Sequence, residues 1–455
     1  MSTQTELQRP TPETRIPTPA KPPATQPPRD PYSAAESGSS NNKDKDKDND
    51  NDNNTDSGPT ARATSSPPPR PRSWLFLAAC FAVEMLVWGF PFAFGVFRSH
   101  YSTNPPFAGQ PNIAVIGTCS MGIMYLSGPV VIGLLRMFPR ESRHAPILGL
   151  VVMCVALAAS SFSHTVTHLI VTQGVLYAVG GAIAYCPCIL YIDQWFVRRK
   201  GFAYGVMWSG TGLAGVVLPL LMEHLLGRLG FRTTLRLWSG LLFVLTAPLA
   251  FFIKPRLPHV SSSTTTTTHA RPFSNLRFAL SRPFALHQAA NVVEALGFFL
   301  PGIYLPSYAH SALGASAYAS ALTILLVNVA SVVGCAAMGS LFDRVSAPSC
   351  LMLASAGATL ATFLAWGFSS TLGVLYAFCV VYGLFAGAYT SAWPGIMNVV
   401  VENERARERG VDPSMVFGML AAGRGVGNVI SGPLSEALIR GAPWKGEAGF
   451  GYGSG

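Results

Sequence analysis

The chain has 455 residues, 49% of them hydrophobic and only 12% charged, against about 25% charged in an ordinary soluble domain. Mean hydropathy is +0.34 although roughly the first seventy residues are polar, so the remainder is apolar enough to cross a membrane repeatedly. A net charge of +10 would suit nucleic acid, but the cations fall between apolar runs and form no patch, which argues against that partner and for orientation in a bilayer.

Residues 1–72 are Pro-rich and then Asn/Asp/Lys-rich, with alternating charge from Lys43 to Asp52. They lack the apolar region of a signal peptide and have little to bury, so a disordered cytoplasmic tail is expected. Apolar runs then recur from Trp74 onward. The pattern predicts eleven spans, near 74–97, 113–135, 146–163, 168–192, 201–225, 233–253, 283–307, 317–338, 349–367, 371–399 and 414–438. Gly and Pro within them are tolerated where neighbouring helices re-satisfy the backbone.

Cations set the orientation. One series of loops carries Arg136, Arg140 and Arg143, then Arg198, Arg199 and Lys200, then Lys254, Arg256, Arg271, Arg277 and Arg282, and finally Arg344 with Arg405, Arg407 and Arg409. The opposite loops offer Arg98, Arg228, Arg232 and Arg236. The positive-inside rule places the rich series and the N-terminus in the cytoplasm. The fold expected is therefore all-α and integral to the membrane. A six-helix bundle over 73–253 and a five-helix bundle over 283–440 are joined by a cytoplasmic linker at 254–282, which contains the low-complexity run Ser261–Thr268; a short tail follows at 441–455.

The junction after Lys200 is the sharpest signal. Three cations end abruptly at Gly201, and Gly205, Gly210, Gly212 and Gly215 follow on an apolar background. Glycines are costly in a soluble helix, at about 1 kcal/mol each against alanine, but in lipid they allow close helix approach. The pattern recurs. Gly205, Gly210, Gly212 and Glu223 match Gly418, Gly423, Gly425 and Glu436 at one offset, with Pro219 and Pro433 one residue off it. Glu84 precedes Pro91 as Glu294 precedes Pro301, and Gly133–Arg136 parallels Gly339–Arg344. Two equivalent halves around a linker are a common transporter design, with the substrate path between them.

Several stretches resemble the major facilitator superfamily and, within it, its fungal monocarboxylate-porter-like branch. They are Trp195–Gly205, Trp88–Phe97, Gly339–Arg344, Tyr382–Gly387 and Gly423–Asn428. The resemblance runs from about residue 73 to the end and implies a twelve-helix, alternating-access fold with its first and seventh helices lining the cavity. Two departures stand out. The twelfth span is missing, so the C-terminus is expected outside the cytoplasm or the chain to be an incomplete product. The first-helix lysine and eighth-helix Asp–Arg pair of animal monocarboxylate porters are absent, since Phe92 follows Pro91 and 317–338 carry no charge.

Ionisable groups at membrane depth cost about 2.5–3.5 kcal/mol or more, so each calls for a reason. Glu84 and Glu294 lie near the middle of their spans. They read either as proton or cation sites, since a carboxylate out of water can load a proton, or as hydrogen-bonded packing locks. Arg424 lies mid-span between glycines, where its counterpart in the first half is Thr211. It could hold a substrate carboxylate or form a structural ion pair. Asn291, one turn before Glu294, is a polar candidate; Trp88, Tyr304, Tyr389 and Trp393 are cavity candidates. By the resemblance, Asp343 and Arg344 form a cytoplasmic gate with Arg198 and Arg199. The eight cysteines, including Cys186 and Cys188, read as small hydrophobes.

These residues point to a secondary transporter of a small organic solute, a monocarboxylate or related anion. Proton coupling is a hypothesis. The partners are that solute, protons and the lipid bilayer of the plasma or vacuolar membrane; no enzyme activity, cofactor, metal or nucleic acid is expected. The alternative is a non-transporting membrane sensor or an inactive product lacking the last helix. Arg424→Ala is expected to abolish anion transport while leaving folding intact.

Overall fold

The computed structural model describes residues 70–197, 199–256, 276–407, 410–438, 444–446 and 449–451. The tail before residue 70, Arg198, the run at 261–268 and most of the C-terminal stretch lie outside them.

Among the described residues, fifteen α-helices follow in order: α1 Arg70–Phe92, α2 Phe94–Thr103, α3 Ile113–Leu126, α4 Gly128–Met137, α5 Ala145–Ser160, α6 Val166–Leu169, α7 Tyr177–Trp195, α8 Lys200–Ala250, α9 Arg282–Phe298, α10 Leu300–Ser311, α11 Ala317–Phe342, α12 Ala347–Leu360, α13 Leu372–Ala386, α14 Trp393–Arg405 and α15 Pro413–Leu438. π-helical turns at Ile170–Leu176 and Ala361–Trp366 continue α6 and α12. The all-α expectation has one exception, a short hairpin in which β1 Trp444–Gly446 pairs antiparallel with β2 Gly449–Gly451.

Eight helical stretches among the described residues are long and apolar enough to cross a membrane, and nine if the bent pair α3–α4 is one span. The 51-residue α8 has one non-helical residue, Gly230, at φ 71° and ψ 169°, a conformation that glycine adopts without steric cost. Helix starts are marked by side chains that satisfy first-turn amides. Thr165 accepts from His168 N, Ser316 from Ala319 N and Thr371 from Val374 N.

Apolar side chains cover both the interior and the outer faces. Met352 is 73% exposed and Phe363 72%, which water would penalise and lipid tails would not. The interior is packed through glycine. A Cβ on Gly149 would meet the backbone of Gly180 and Ala184, joining α5 to α7. One on Gly201 would lie 2.5 Å from the Gly339 carbonyl oxygen, and one on Gly205 would strike the Cys335 carbonyl, so α8 and α11 touch backbone to backbone. The second copy of the motif does likewise at another seam: Gly418 lies against Pro129 of α4, and Gly425 against Tyr125 and Leu126 of α3. The shared glycine pattern therefore serves close helix approach in both places.

Candidate functional site

An open-mouthed cavity lies among α1, α3, α4, α7, α8, α9, α11, α14 and α15. Eight of its nineteen lining residues are aromatic, with Trp88, Tyr125, Tyr185, Trp208, Trp393 and Phe417 prominent. Trp88 packs on Tyr125 with ring centroids 4.5 Å apart and edge-on to Tyr185 at 5.7 Å. Trp208, Trp393 and Phe417 form a second cluster with centroids 5.5–6.2 Å apart.

Glu84 and Arg424 bring charge chemistry to this wall. Each is buried, with 3% and 2% exposure. Thr211 Oγ1 of α8 donates to Glu84 Oε1 at 2.6 Å, while Glu84 Oε2 has no hydrogen-bond partner among the described residues. Beside it stands the Tyr185 hydroxyl, whose oxygen accepts from Trp208 Nε1 at 2.9 Å and whose own proton is available to the Glu84 carboxylate. Arg424 Nη1 donates to Glu294 Oε2 at 2.5 Å, leaving Arg424 Nε and Glu294 Oε1 unpartnered among the described residues. One bond is thus made where a guanidinium and a carboxylate can make two. The guanidinium lies over the Phe298 ring, 4.2 Å from its centroid, a favourable cation–π position.

The sequence repeat now has a structural meaning. Glu84 and Glu294 are equivalent positions, as are Thr211 and Arg424, and each glutamate bonds its own half's partner. One pair is a hydrogen bond to a hydroxyl; the other is an ion pair. Behind the ion pair, α9 is tied to α15 by a polar seam. Gln288 Nε2 donates to the Met419 carbonyl and Asn291 Nδ2 to the Leu420 carbonyl, each at 2.7 Å.

Not every candidate reaches the cavity. Glu84, Trp88, Trp393 and Arg424 line it, and Glu294 meets it only through Arg424. Asn291 is spent on the seam. Tyr304 bonds Ser435 at 2.8 Å, and Tyr389 is buried in a cluster with Met338, Cys350 and Ala354. Tyr125, Tyr185, Trp208 and Thr211 line the cavity without having stood out in the sequence as site residues. Only Thr211 had a usable signal, since the repeat makes it the counterpart of Arg424 as it makes Glu84 the counterpart of Glu294. Cys186 also lines the cavity, though the eight cysteines read as packing hydrophobes; all are free thiols.

Two contacts join helix ends. Asp343, just after α11, accepts the backbone N–H groups of Gly201 and Phe202 at 2.8 and 2.9 Å. An anion there is favoured by the helix dipole of α8 and by its unsatisfied amides. Arg136, in the last turn of α4, pairs with Asp412 before α15 at 2.6 Å and donates to Ser414 Oγ at 3.1 Å. Of the other gate candidates, Arg344 and Arg199 are exposed, and Arg198 lies outside the described residues. Lys200 reaches Asp193 at 3.5 Å.

Residues 76–432 match the family model described as Major Facilitator Superfamily. Among curated relatives, the MFS-type transporter pynF of Aspergillus niger is 27% identical over 369 residues, spanning 80% of this chain and 82% of its own. Monocarboxylate transporter 10 of Danio rerio is 25% identical, with 80% and 73% covered. The Fujikurins efflux protein of Gibberella fujikuroi is 24% identical, with 70% and 67% covered. A solved structure described as the nucleoside transporter NupG aligns with a TM-score of 0.55 at 13% identity, over 81% of this chain and 91% of that one; at that identity the likeness concerns the fold.

Proposed function

The chain belongs to the major facilitator superfamily, and from that membership we propose that the small solute it moves by secondary transport is an organic anion, a monocarboxylate or related acid. The observation that carries this reading is Arg424, a buried guanidinium on the wall of an aromatic cavity, tied to its resident carboxylate by a single bond. The remaining donor edge suits a carboxylate, and the rings suit an apolar body. The name of the Danio rerio relative, a monocarboxylate transporter, agrees with this class.

Proton coupling follows from charge balance. Glu294 and Arg424 together are neutral, so an entering anion leaves at least one net negative charge in a region of low dielectric. Taking up a proton with the anion removes that cost, and Glu294 and Glu84 are the carboxylates able to hold it. In the same reading, residues 73–253 and 283–440 form two bundles that rock about the cavity. At 51 residues α8 is about 76 Å long, more than twice the ~30 Å hydrocarbon core, so it counts as two spans meeting at Gly230. With α15 as a further span the total is eleven. The cation-rich face and the N-terminus are cytoplasmic, in the plasma or vacuolar membrane.

The test is uptake of a panel of labelled acids by cells lacking their own carboxylate carriers, with and without a collapsed proton gradient. Saturable uptake of an acid that falls on collapse is expected; no movement of any acid in either direction refutes the anion reading. A second reading, export of a larger apolar product, draws on the aromatic share of the wall and on the name of the Gibberella fujikuroi relative. Preloaded cells test it in the same assay.

The helix-end contacts read as the cytoplasmic gate. Asp343→Ala removes the acceptor of two amides and is expected to cost on the order of 1 kcal/mol. The maximal transport rate should change while the apparent affinity stays, because the contact lies away from the cavity. A variant whose affinity alone shifts would speak against a gating role. Uptake kinetics and thermal melting in detergent give the two readouts.

A further inference from the structure

Most of the cations in the cation-poor loops, Arg228, Arg232 and Arg236, fall close together in α8. The positive-inside pattern disfavours charge there, so its concentration at one place calls for a local reason. The structure brings two of the three to a single turn. Arg236 Nε donates to Ser161 Oγ, at the end of α5, at 2.9 Å, and Arg232 Nη2 lies 3.3 Å from His164 Nδ1. Both guanidinium groups also lie over rings. Arg236 is 4.6 Å from the centroid of Phe162, and Arg232 is 5.6 Å from that of Phe231. Phe231 is itself buried against Tyr101 and Phe107, with centroids 5.8 and 5.4 Å away, which holds the backbone that carries Arg232.

These contacts leave charge over. Neither guanidinium is in an ion pair among the described residues. The α5 helix, the turn after it and α6 hold no acidic residue, and the one in α8, Glu223, precedes the break at Gly230. A ring and one side-chain bond occupy only part of a guanidinium. Its remaining N–H groups suit the oxygens of a phosphate. Two like charges converging on one turn also repel, and an anion between them removes that cost.

Position identifies the source of the anion. Leu148, Val151 and Val155 form an exposed face of α5 at helical spacing, and Phe162, 63% exposed, continues it past the helix end. On α8 the exposed Phe243 and Val244 lead back through Gly240 to Arg236 at the same spacing. Lipid tails cover such faces, and the two arginines stand where the span Ser142–Ser160 ends. Headgroups lie at that level, and arginine reaches them by laying its apolar stem along the helix.

We propose that the seam between α5 and the second half of α8 binds an anionic membrane phospholipid. Arg232 and Arg236 hold its phosphodiester, and its acyl chains run along the exposed faces of the two helices. The site belongs to the scaffold, so the proposal stands apart from the solute carried.

The experiment measures thermal melting of the full chain in neutral detergent with added dioleoyl phosphatidylinositol, dioleoyl phosphatidylcholine or inorganic phosphate. Three proteins are compared: the parent, Arg232→Gln with Arg236→Gln, and Arg140→Gln with Arg143→Gln, which removes the same charge beyond the other end of α5. Phosphatidylinositol should raise the parent's melting temperature above the level reached with either other addition. The concentration giving half that rise should increase about tenfold or more in the Arg232 and Arg236 variant, as expected for lost charge-assisted bonds. It should stay near the parent value in the control variant. Native mass spectrometry of the same samples should show fewer retained lipids in the Arg232 and Arg236 variant alone. No rise in the parent, an equal rise with phosphatidylcholine or with inorganic phosphate, or an unchanged response of the Arg232 and Arg236 variant overturns the proposal. If that variant accumulates poorly, Arg232→Gln alone keeps the Ser161 contact and should still weaken the response severalfold; an unchanged response there overturns it equally.

Discussion

Arg424→Ala is expected to reduce uptake of anionic substrates by a hundredfold or more. Bonds to a charged donor are each worth about 1.5–3 kcal/mol, and a carboxylate at the guanidinium would make two. The structure revises the expectation that folding stays intact. Removing the guanidinium leaves Glu294 in the core without its counter-charge, and breaking a buried pair from one side costs about 3–5 kcal/mol. The single variant should therefore melt earlier and accumulate less. The double variant Arg424→Ala with Glu294→Ala removes both charges and should regain most of that stability while remaining inactive. Uptake and melting of the three proteins separate the two effects. If the double variant regains transport of the same acid, Arg424 has no part in binding it. Arg424→Lys keeps the charge but loses the planar fork, and should transport weakly.

The second large effect lies at the seam of α8 and α11. Gly205→Leu places a side chain where a Cβ alone would strike the Cys335 carbonyl and lie 3.1 Å from Gly339 Cα. Backbone cannot yield as a flexible side chain can, so the helices must part, at about 1–3 kcal/mol for overpacking before any loss of the contacts around them. Asp343 would then be drawn away from the amides of Gly201 and Phe202, coupling the seam to the helix-end contact. Uptake is expected to fall at least tenfold, with Gly205→Ala intermediate. Gly240 sits in the same α8, and a Cβ added there would meet nothing within 4 Å among the described residues, so Gly240→Ala should be neutral or slightly stabilising. If Gly205→Leu transports like the parent, the close approach of these helices is not required at any step of the cycle.

Much of the site was legible because its residues break a local rule. Glu84, Glu294 and Arg424 stand out as charges in apolar runs, and nothing about the fold is needed to see that they require partners. The repeat went further, since matching Glu84 with Glu294 and Thr211 with Arg424 implies that whichever contact exists in one half has a counterpart in the other. The aromatic candidates fared less evenly. Trp88 and Trp393 reach the cavity while Tyr304 and Tyr389 pack elsewhere, and composition could not separate them. A ring facing a cavity, a neighbouring helix or lipid leaves the same mark on a hydropathy profile. Asn291 illustrates the same limit: being one turn from Glu294 put it on the right face, but its amide is spent on the Leu420 carbonyl.

Sequence by itself determined that this chain lives in a bilayer, that its apolar segments are repeated in two related sets, and that three ionisable groups in those segments need an explanation. Those are properties of each residue against its solvent, and they can be read one window at a time. Tertiary structure alone decided that Arg424 is held by Glu294, 130 residues away in the chain, and that Glu84 meets the Thr211 and Tyr185 hydroxyls at the cavity wall. It also decided which glycines are points of backbone contact. These are distances between helices, set by how side chains of α1, α8, α9, α11 and α15 fill the space between them, and a partner's position is not encoded in the hydropathy of either residue that shares it.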